Sequence, residues 1–354
     1  MKIILDNKIF SLQNSGGISV YWYEFIKRLL NDKSVNNLFV EDNNDFDNIF
    51  RNKIEIENQK IIFSKKFYYT RYSPVYLNIS HTKFIFHSSY YRILSKKTKK
   101  NNNAKEVVTV HDFTYELFRK GFAKWLHSYQ KKKAIKSADI VICISENTKK
   151  DLLHFYPEFS KKDIRVVYNG MSSDYSAIPN DKSDNQKKPF FLFVGSRVTY
   201  KNFNFVVNCI AQSNDFHLKI VGSKLNSNEI HLLNTQLGNR WEVYENINNT
   251  ELNILYNNAF SLIYPSSYEG FGIPLLEAMK SGCPFIALNA SSIPEVAGNA
   301  GVLLENLSIN EFNKAAILIS KDRINIINKG FEQANKFSWD ICYGEILKIY
   351  KELN

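Results

Sequence analysis

"AFSLIYPSSYEGFGIPLLEAMKSGCPFIAL" (Ala259–Leu288) holds two glutamates, Glu269 and Glu277, eight positions apart, with two glycines and a proline between them. It opens on an apolar run, Phe260 to Pro265, and closes on another, Pro284 to Leu288. Pro274 suits the first turn of a helix, where its missing N–H is not needed and its fixed φ is already helical. The pattern predicts strand, glycine loop, helix, strand. The helix start, at "GFGI", offers N–H groups without intrahelical partners. Glu269 then falls at the strand end and Glu277 about one turn into the helix. Carboxylates repel phosphate but accept well from vicinal hydroxyls. A ligand with phosphate for the N–H groups and hydroxyls for the glutamates fits the whole arrangement. A dipole partner plus a surface Glu would leave the Gly-x-Gly unexplained.

The same alternation runs outward in both directions. Strand-like runs stand at residues 2–6, 83–87, 106–111, 139–145 and 164–169, with helical candidates between them such as "ISVYWYEFIKRLL" (18–30). Residues 176–189, "SAIPNDKSDNQKKP", are polar, carry two prolines and lack periodicity, which reads as a linker. Apolar runs resume at 190–195, 217–222, 241–245, 260–265 and 284–288. Short, near-continuous apolar strands alternating with helices imply parallel sheets covered on both faces. The expected class is α/β, with two doubly wound parallel-sheet domains facing a cleft and ligands outside the carboxyl ends of the strands. The expected domains are 1–175 and 190–338, with 176–189 as linker. The amphipathic helix at 339–354 should pack back on the first domain.

A chain of 354 residues is long for one core. No 18-residue apolar run is present, so no membrane-spanning helix is expected, and "MKIILD" reads as a first strand. Cys143, Cys209, Cys283 and Cys342 are widely spaced and read as reduced, buried thiols of a cytoplasmic protein. The net charge of +11 is uneven: residues 1–170 hold 30 Lys and Arg against 17 Asp and Glu, and the rest hold 16 against 18. "KKFYYTRY" (65–72), "KKTKK" (96–100) and "KKK" (131–133) supply much of it. Basic residues among aromatics suit an anionic surface, nucleic acid or acidic lipid; a solvated lysine-rich face is the other reading. No zinc spacing or RNA-binding signature favours nucleic acid.

Three further stretches place unusual residues after strands. Gly16 and Gly17 precede a helix, where glycine lets a ligand approach the backbone, although a plain turn reads equally well. His111 and Asp112 end a buried-looking strand; a histidine there suits a sugar hydroxyl or phosphate, or is satisfied structurally. Arg197 and Lys201 follow the strand that ends at Gly195, and two cations beside a helix start suit a diphosphate. "DFD" (Asp45–Asp47) lies in an Asn/Asp-rich loop and reads as solvated, so no metal is expected.

"EGFGIPLLE" resembles the E-x7-E signature of retaining glycosyltransferases of family 4, which have the GT-B fold of two Rossmann-like domains. "SGCPFIALNASSIPEVAGNAGVLL", "SADIVICISENTKKDL" and "VVYNG" also resemble segments of that family. "TVHDFTYE" is similar to the His-Asp segment of its mannosyltransferase-like members, and "VGSRVTYKN" to the strand end with the diphosphate lysine. The resemblance implies catalytic roles for His111 and Glu269, both at the donor sugar. It implies donor contacts for Gly16, Gly17, Arg197 and Lys201, for the backbone of Phe271, Gly272 and Ile273, and for Glu277 on the ribose. The base would lie near Val243 to Ile247. Ser196 stands where many relatives carry Arg, which leaves Arg197 without a clear role.

The implied activity is transfer of a hexose, with retention, from a nucleotide diphosphate sugar to a glycan hydroxyl. A GDP-sugar is the expected donor; a UDP- or dTDP-sugar is the alternative, and no cofactor is implied. The expected acceptor is a lipid-linked glycan of bacterial surface polysaccharide, met at the inner face of the membrane. A phosphorylase or epimerase of the same fold is the enzymatic rival. A basic nucleic-acid-binding protein is the rival of another class, and it leaves the Glu pair unexplained.

Overall fold

The first strand already shows why the sheet is sandwiched. Ile3 and Leu5 point into one apolar cluster with Trp22, Phe25 and Leu29, while Ile4 points into another with Val40, Phe84 and Phe86. Alternate side chains are buried on opposite faces, as a central parallel strand requires. This computed structural model describes residues 1–41, 47–63, 70–79, 82–179 and 188–354.

The chain forms two compact units, Met1–Gly170 with Trp339–Asn354, and Met171–Ser338. The first contains strands β1 (Lys2–Asp6), β2 (Asn36–Glu41), β3 (Ile61–Phe63), β4 (Ile85–Ser88), β5 (Lys105–Val110), β6 (Ile140–Cys143) and β7 (Asp163–Val166). They pair in the order β3-β2-β1-β4-β5-β6-β7, all parallel. The second contains β8 (Phe190–Val194), β9 (His217–Val221), β10 (Trp241–Tyr244), β11 (Ser261–Tyr264), β12 (Phe285–Leu288) and β13 (Val302–Leu304). Their order is β10-β9-β8-β11-β12-β13, again parallel. Each sheet is doubly wound, with strand order reversing beside β1 and β4 in one and beside β8 and β11 in the other.

The helices are α1 (Gly17–Asn31), α2 (Lys96–Asn102), α3 (Thr114–Phe118), α4 (Gly121–Ser137) and α5 (Glu146–Phe155) in the first unit. The second has α6 (Phe203–Ala211), α7 (Ser227–Leu237), α8 (Asn249–Asn258), α9 (Ile273–Lys280), α10 (Ile293–Ala297) and α11 (Ile309–Ala334). The final helix, α12 (Trp339–Leu353), belongs to the first unit. Its Ile346, Ile349 and Tyr350 join the cluster of Trp22 and Phe25. Asp340 accepts from Arg28 at 2.6 Å, Tyr343 donates to Asp32 at 2.7 Å, and the Tyr350 hydroxyl meets His87 Nδ1 at 2.5 Å.

Several expectations need correction. Strands β2, β3 and β13 had no expected counterpart. The break between units falls after Gly170, ahead of the expected residue 175. Residues 171–179 dock on the second unit: Ser176 N donates to Asn253 at 3.2 Å and Ile178 N to Asn257 at 2.7 Å, both on α8. So 176–179 are not a free linker, and 180–187 lie outside the described residues. The "KKK" run is not uniformly a surface. Lys131 is fully buried on the inner face of α4, donating to Glu116 and to the Asp112 carbonyl at 2.8 Å each. In "KKTKK", which forms most of α2, Lys99 is held by Glu106 at 2.7 Å, while Lys96, Lys97 and Lys100 are exposed. Most of "KKFYYTRY" lies outside the described residues, as do Asp45 and Phe46 of "DFD".

Ile346 is fully buried, whereas Ile341 on the same helix is exposed. Ile346→Ala is expected to destabilise the first unit by about 2–5 kcal/mol, and Ile341→Ala to stay within about 0.5 kcal/mol. Denaturant unfolding of the two variants checks this; equal effects would place α12 off the core.

Candidate active site

The second sheet reverses between β8 and β11, and the most distinctive side chains lie beyond the ends of those two strands. Gly195 follows β8 with φ +132°, a conformation that suits glycine, and a Cβ there would lie 4.0 Å from Lys201 Nζ. A short helical turn, Thr199–Lys201, brings the lysine back over the strand end. Asn202 fixes that turn, donating to Pro265 O and Ser267 Oγ at 2.8 Å each, and Ser267 N donates to Tyr200 O at 2.8 Å. These bonds tie the loop after β8 to the loop after β11.

Across that junction Lys201 donates to Glu269 in a largely buried ion pair. The ammonium also lies 5.2 Å from the Tyr264 ring centroid. Tyr264 is buried; its hydroxyl is pushed well up by burial, by the Glu269 charge and by its hydrogen bond to Glu269. Glu269 is held in place from behind. Its N–H donates to Ser291 Oγ at 3.2 Å, and its carbonyl accepts from Ser291 at 2.7 Å and Ser292 at 2.9 Å. Ser292 also donates to Phe271 O at 2.9 Å. The two serines lie after β12 and were not anticipated as site supports, although "ASSIPE" places hydroxyls directly before a helix.

The glycine loop ends at Gly272, which caps α9 with φ +112° and brings no side chain to the helix start. Ile273 begins the helix and Pro274 follows in its first turn. Phe271 is buried and its ring packs 5.8 Å from Phe337. This anchors the loop, so its backbone position is set by packing. Within α9, Glu277 is half-buried and accepts from the Tyr256 hydroxyl at 2.9 Å. Burial pushes its carboxyl up to about 7, against the hydroxyls of Tyr256 and Tyr175, which pull it down. Neither tyrosine was foreseen: Tyr256 comes from α8 and Tyr175 from the segment expected to be at the domain boundary.

Arg197 is largely committed elsewhere. It donates to Glu229 at 2.8 Å and to the carbonyls of Ser223 and Lys224 at 2.8 and 2.9 Å. Its NH1 atom is buried with no hydrogen-bond partner among the described residues. A Cβ on Gly222 would lie 3.1 Å from that atom and 2.6 Å from Gly195 O, so there is no room for a side chain at Gly222. Ser196 is exposed. The expected base-binding stretch starts in the last two residues of β10, two strands from β8, where Tyr244 donates to Glu242 at 2.5 Å and accepts from Lys219 at 3.0 Å.

In the first unit, Gly16 caps α1 and Gly17 begins it. A Cβ on Gly16 would press on Gln13 at 3.1 Å, whereas one on Gly17 would meet nothing within 4 Å. His111, directly after β5, is buried with its ring 4.9 Å from Tyr21 in an edge arrangement. Among the described residues its Nε2 is buried with no hydrogen-bond partner. Burial pushes its imidazole down to about 4, against Asp112, with Lys131 adding to the fall. The ring is therefore neutral near pH 7. Asp112 accepts from Thr114 N at 2.8 Å and so turns the chain into α3. Among the described residues, no group of three or more His, Cys, Asp or Glu could hold a metal ion.

Two family models match the chain, one for each unit. The model described as Glycosyltransferase Family 4 matches residues 15–175, and that for Glycosyl transferases group 1 matches 174–337. The chain belongs to glycosyltransferase family 4. The O-antigen chain mannosyltransferase B of Escherichia coli is 37% identical over 106 residues, 29% of this chain and 28% of that protein. The O-antigen chain mannosyltransferase RfbU of Salmonella typhimurium is 29% identical over 203 residues, 56% of each. The matches thus span about a quarter and about half of these relatives' own lengths. The sucrose-phosphate synthase of Thermosynechococcus elongatus superposes with a TM-score of 0.73 at 18% identity, covering 100% of this chain and 99% of that one. The fold is GT-B.

The geometry at Glu277 predicts a pH signature. A carboxyl raised above its unfolded value of about 4.5 keeps its proton in the native state while the unfolded chain releases it. Its contribution is therefore most favourable below pH 4.5 and is lost as pH rises through about 7. The thermal midpoint of Glu277→Gln, measured relative to the parent, should shift in the variant's favour over that window. A shift in the opposite direction would contradict the burial-driven rise.

Proposed function

We propose that this family 4 glycosyltransferase moves a hexose, with retention, from a nucleotide diphosphate sugar to a glycan hydroxyl. GDP-mannose or a related GDP-sugar is the proposed donor. The observation that carries the reading is the Lys201 ammonium at the β8–β11 reversal, paired with Glu269 in the loop that leads to α9, whose N-terminus Gly272 leaves without a side-chain cap. A cation and a helix N-terminus at a topological switch point suit a diphosphate, and both stabilise charge on a leaving phosphate.

The remaining roles are those that the family resemblance implies. Glu277, as a carboxylate, accepts from the ribose hydroxyls, and Glu269 accepts from those of the donor sugar. The backbone of Phe271, Gly272 and Ile273 meets the sugar and phosphates. Gly17, with open space beyond its Cα, lets the diphosphate approach α1. His111 offers a neutral hydrogen bond to the sugar or the β-phosphate from its Nε2, which has no partner among the described residues. In the transfer the acceptor oxygen bonds to the anomeric carbon as the bond to the phosphate oxygen breaks. The acceptor proton passes to the departing phosphate on the same face. Lys201 and the helix N–H groups take the place of a metal ion. Arg197, held by Glu229, is assigned a supporting position instead of a donor contact.

The relatives named O-antigen mannosyltransferases support mannose as the sugar and a bacterial surface polysaccharide as the product. A lipid-linked acceptor would place the protein at the inner face of the cell membrane. Among the described residues no helix is long and apolar enough to cross a membrane.

Calorimetric titration of the full chain in EDTA tests donor and metal together. Guanine carries a donor pair that uracil lacks, and an unsatisfied buried partner costs about 1–3 kcal/mol. GDP should therefore bind at least roughly tenfold tighter than UDP or dTDP. Tighter UDP or dTDP would replace the donor base and leave the transferase reading standing. Binding only after Mn²⁺ or Mg²⁺ is restored would return the aspartates of "DFD" to consideration.

A further inference from the structure

The outer face of α4 is built unlike the rest of the first unit. Leu117 through Ala123 form an unbroken exposed run, "LFRKGFA", that leads into the helix. On the helix itself Phe122 is 73% exposed, Trp125 59% and Tyr129 55%. Lys132, Lys133 and Lys136 are exposed further along. At 3.6 residues per turn these six lie within an arc of about 100°. The opposite face is buried through His127, Gln130, Lys131, Ala134 and Ile135. The helix therefore presents an aromatic half and then a cationic half on one solvent-facing side. Core packing does not explain three large aromatic side chains held in water, and contiguous patches of this kind mark interaction sites.

We propose that this face docks on a bilayer containing anionic lipid, with Phe122, Trp125 and Tyr129 at the headgroup level and the lysines over acidic headgroups. Tryptophan and tyrosine favour that boundary because their rings are apolar and their tips are polar. Arg119, Lys120, Lys133 and Lys136 complement an anionic surface. The helix has 17 residues, about 25 Å, and carries charge throughout, so it lies in the interface and does not span. Two other occupants fit less well. A sugar stacks on a free ring face, but Trp125 stacks with Phe122 on one side and with Tyr129 on the other, at 5.6 Å each, so the largest ring of the patch has both neighbours in place. A symmetric dimer through this face would bury lysines, which interface cores exclude.

The inference rests on the proposed lipid-linked acceptor and names the element that meets the membrane. The test is co-sedimentation of the full chain with phosphatidylcholine vesicles, with and without phosphatidylglycerol. The parent should bind the phosphatidylglycerol vesicles. The triple variant Phe122→Ser, Trp125→Ser, Tyr129→Ser should lose at least roughly tenfold in partitioning. Lys133→Gln with Lys136→Gln should lose roughly tenfold or more, only on anionic vesicles and less at high salt. Trp125→Phe should abolish the fluorescence blue shift on binding. All variants should keep the parent's thermal midpoint and its response to nucleoside diphosphates, because none of these residues touches the proposed donor site. Equal vesicle binding by the triple variant would overturn the proposal. So would a parent that ignores vesicles, including one that dimerises through this face. A parent that binds vesicles but no nucleoside diphosphate would instead sink the donor reading and leave the docking face standing.

Discussion

The ion pair between Lys201 and Glu269 is the constraint around which the second unit is arranged. It joins the loop after β8 to the loop after β11, where the sheet changes winding direction. A largely buried pair is poor evidence for stability, because desolvating two charges offsets most of their attraction. Here it is supplied with unusual support: Tyr264 bonds the carboxylate, Ser291 and Ser292 hold its backbone, and Asn202 fixes the lysine turn. That investment in position suits a cation kept ready for an anion and a carboxylate kept ready for hydroxyls. Glu277, with its own pair of tyrosines, repeats the device one turn into α9.

The first unit uses burial in another way. His111 is neutral because it is desolvated beside Lys131, and Lys131 is tolerated in the interior because Glu116 and the Asp112 carbonyl neutralise and bind it. The inner face of α4 thus fixes the His-Asp turn, while its outer face carries the exposed aromatic side chains. α12 closes the same unit from the far end of the chain through Tyr350 and His87, so the core beneath β1 and β4 depends on residues more than 260 positions away.

Much of this architecture was legible because buried parallel strands are nearly pure apolar runs. β5, β6, β8, β11 and β12 stand out for that reason. β2 begins with two asparagines, β3 has three residues at a sheet edge and β13 is equally short, so pairing with a neighbour, not composition, makes them strands. The site was legible where chemistry is local: glycine loop, Pro274 and paired glutamates. Its supports were not, because Tyr175, Tyr256 and Ser291 reach the glutamates only through tertiary contacts. Lys131 was misread for the same reason. A triple lysine run looks like surface until the helix phase turns one member inward against Glu116.

Lys201 is proposed to serve the diphosphate while Glu269 restrains the lysine and serves the sugar. Calorimetric affinity for a nucleoside diphosphate, which carries no sugar, separates the two. Lys201→Ala should weaken that affinity by roughly tenfold or more, since a charged hydrogen bond contributes about 1.5–3 kcal/mol. Glu269→Gln should leave it equal or tighter, because the lysine is released, while sugar transfer is lost. A Glu269→Gln variant that loses nucleoside diphosphate binding as fully as Lys201→Ala would contradict the account.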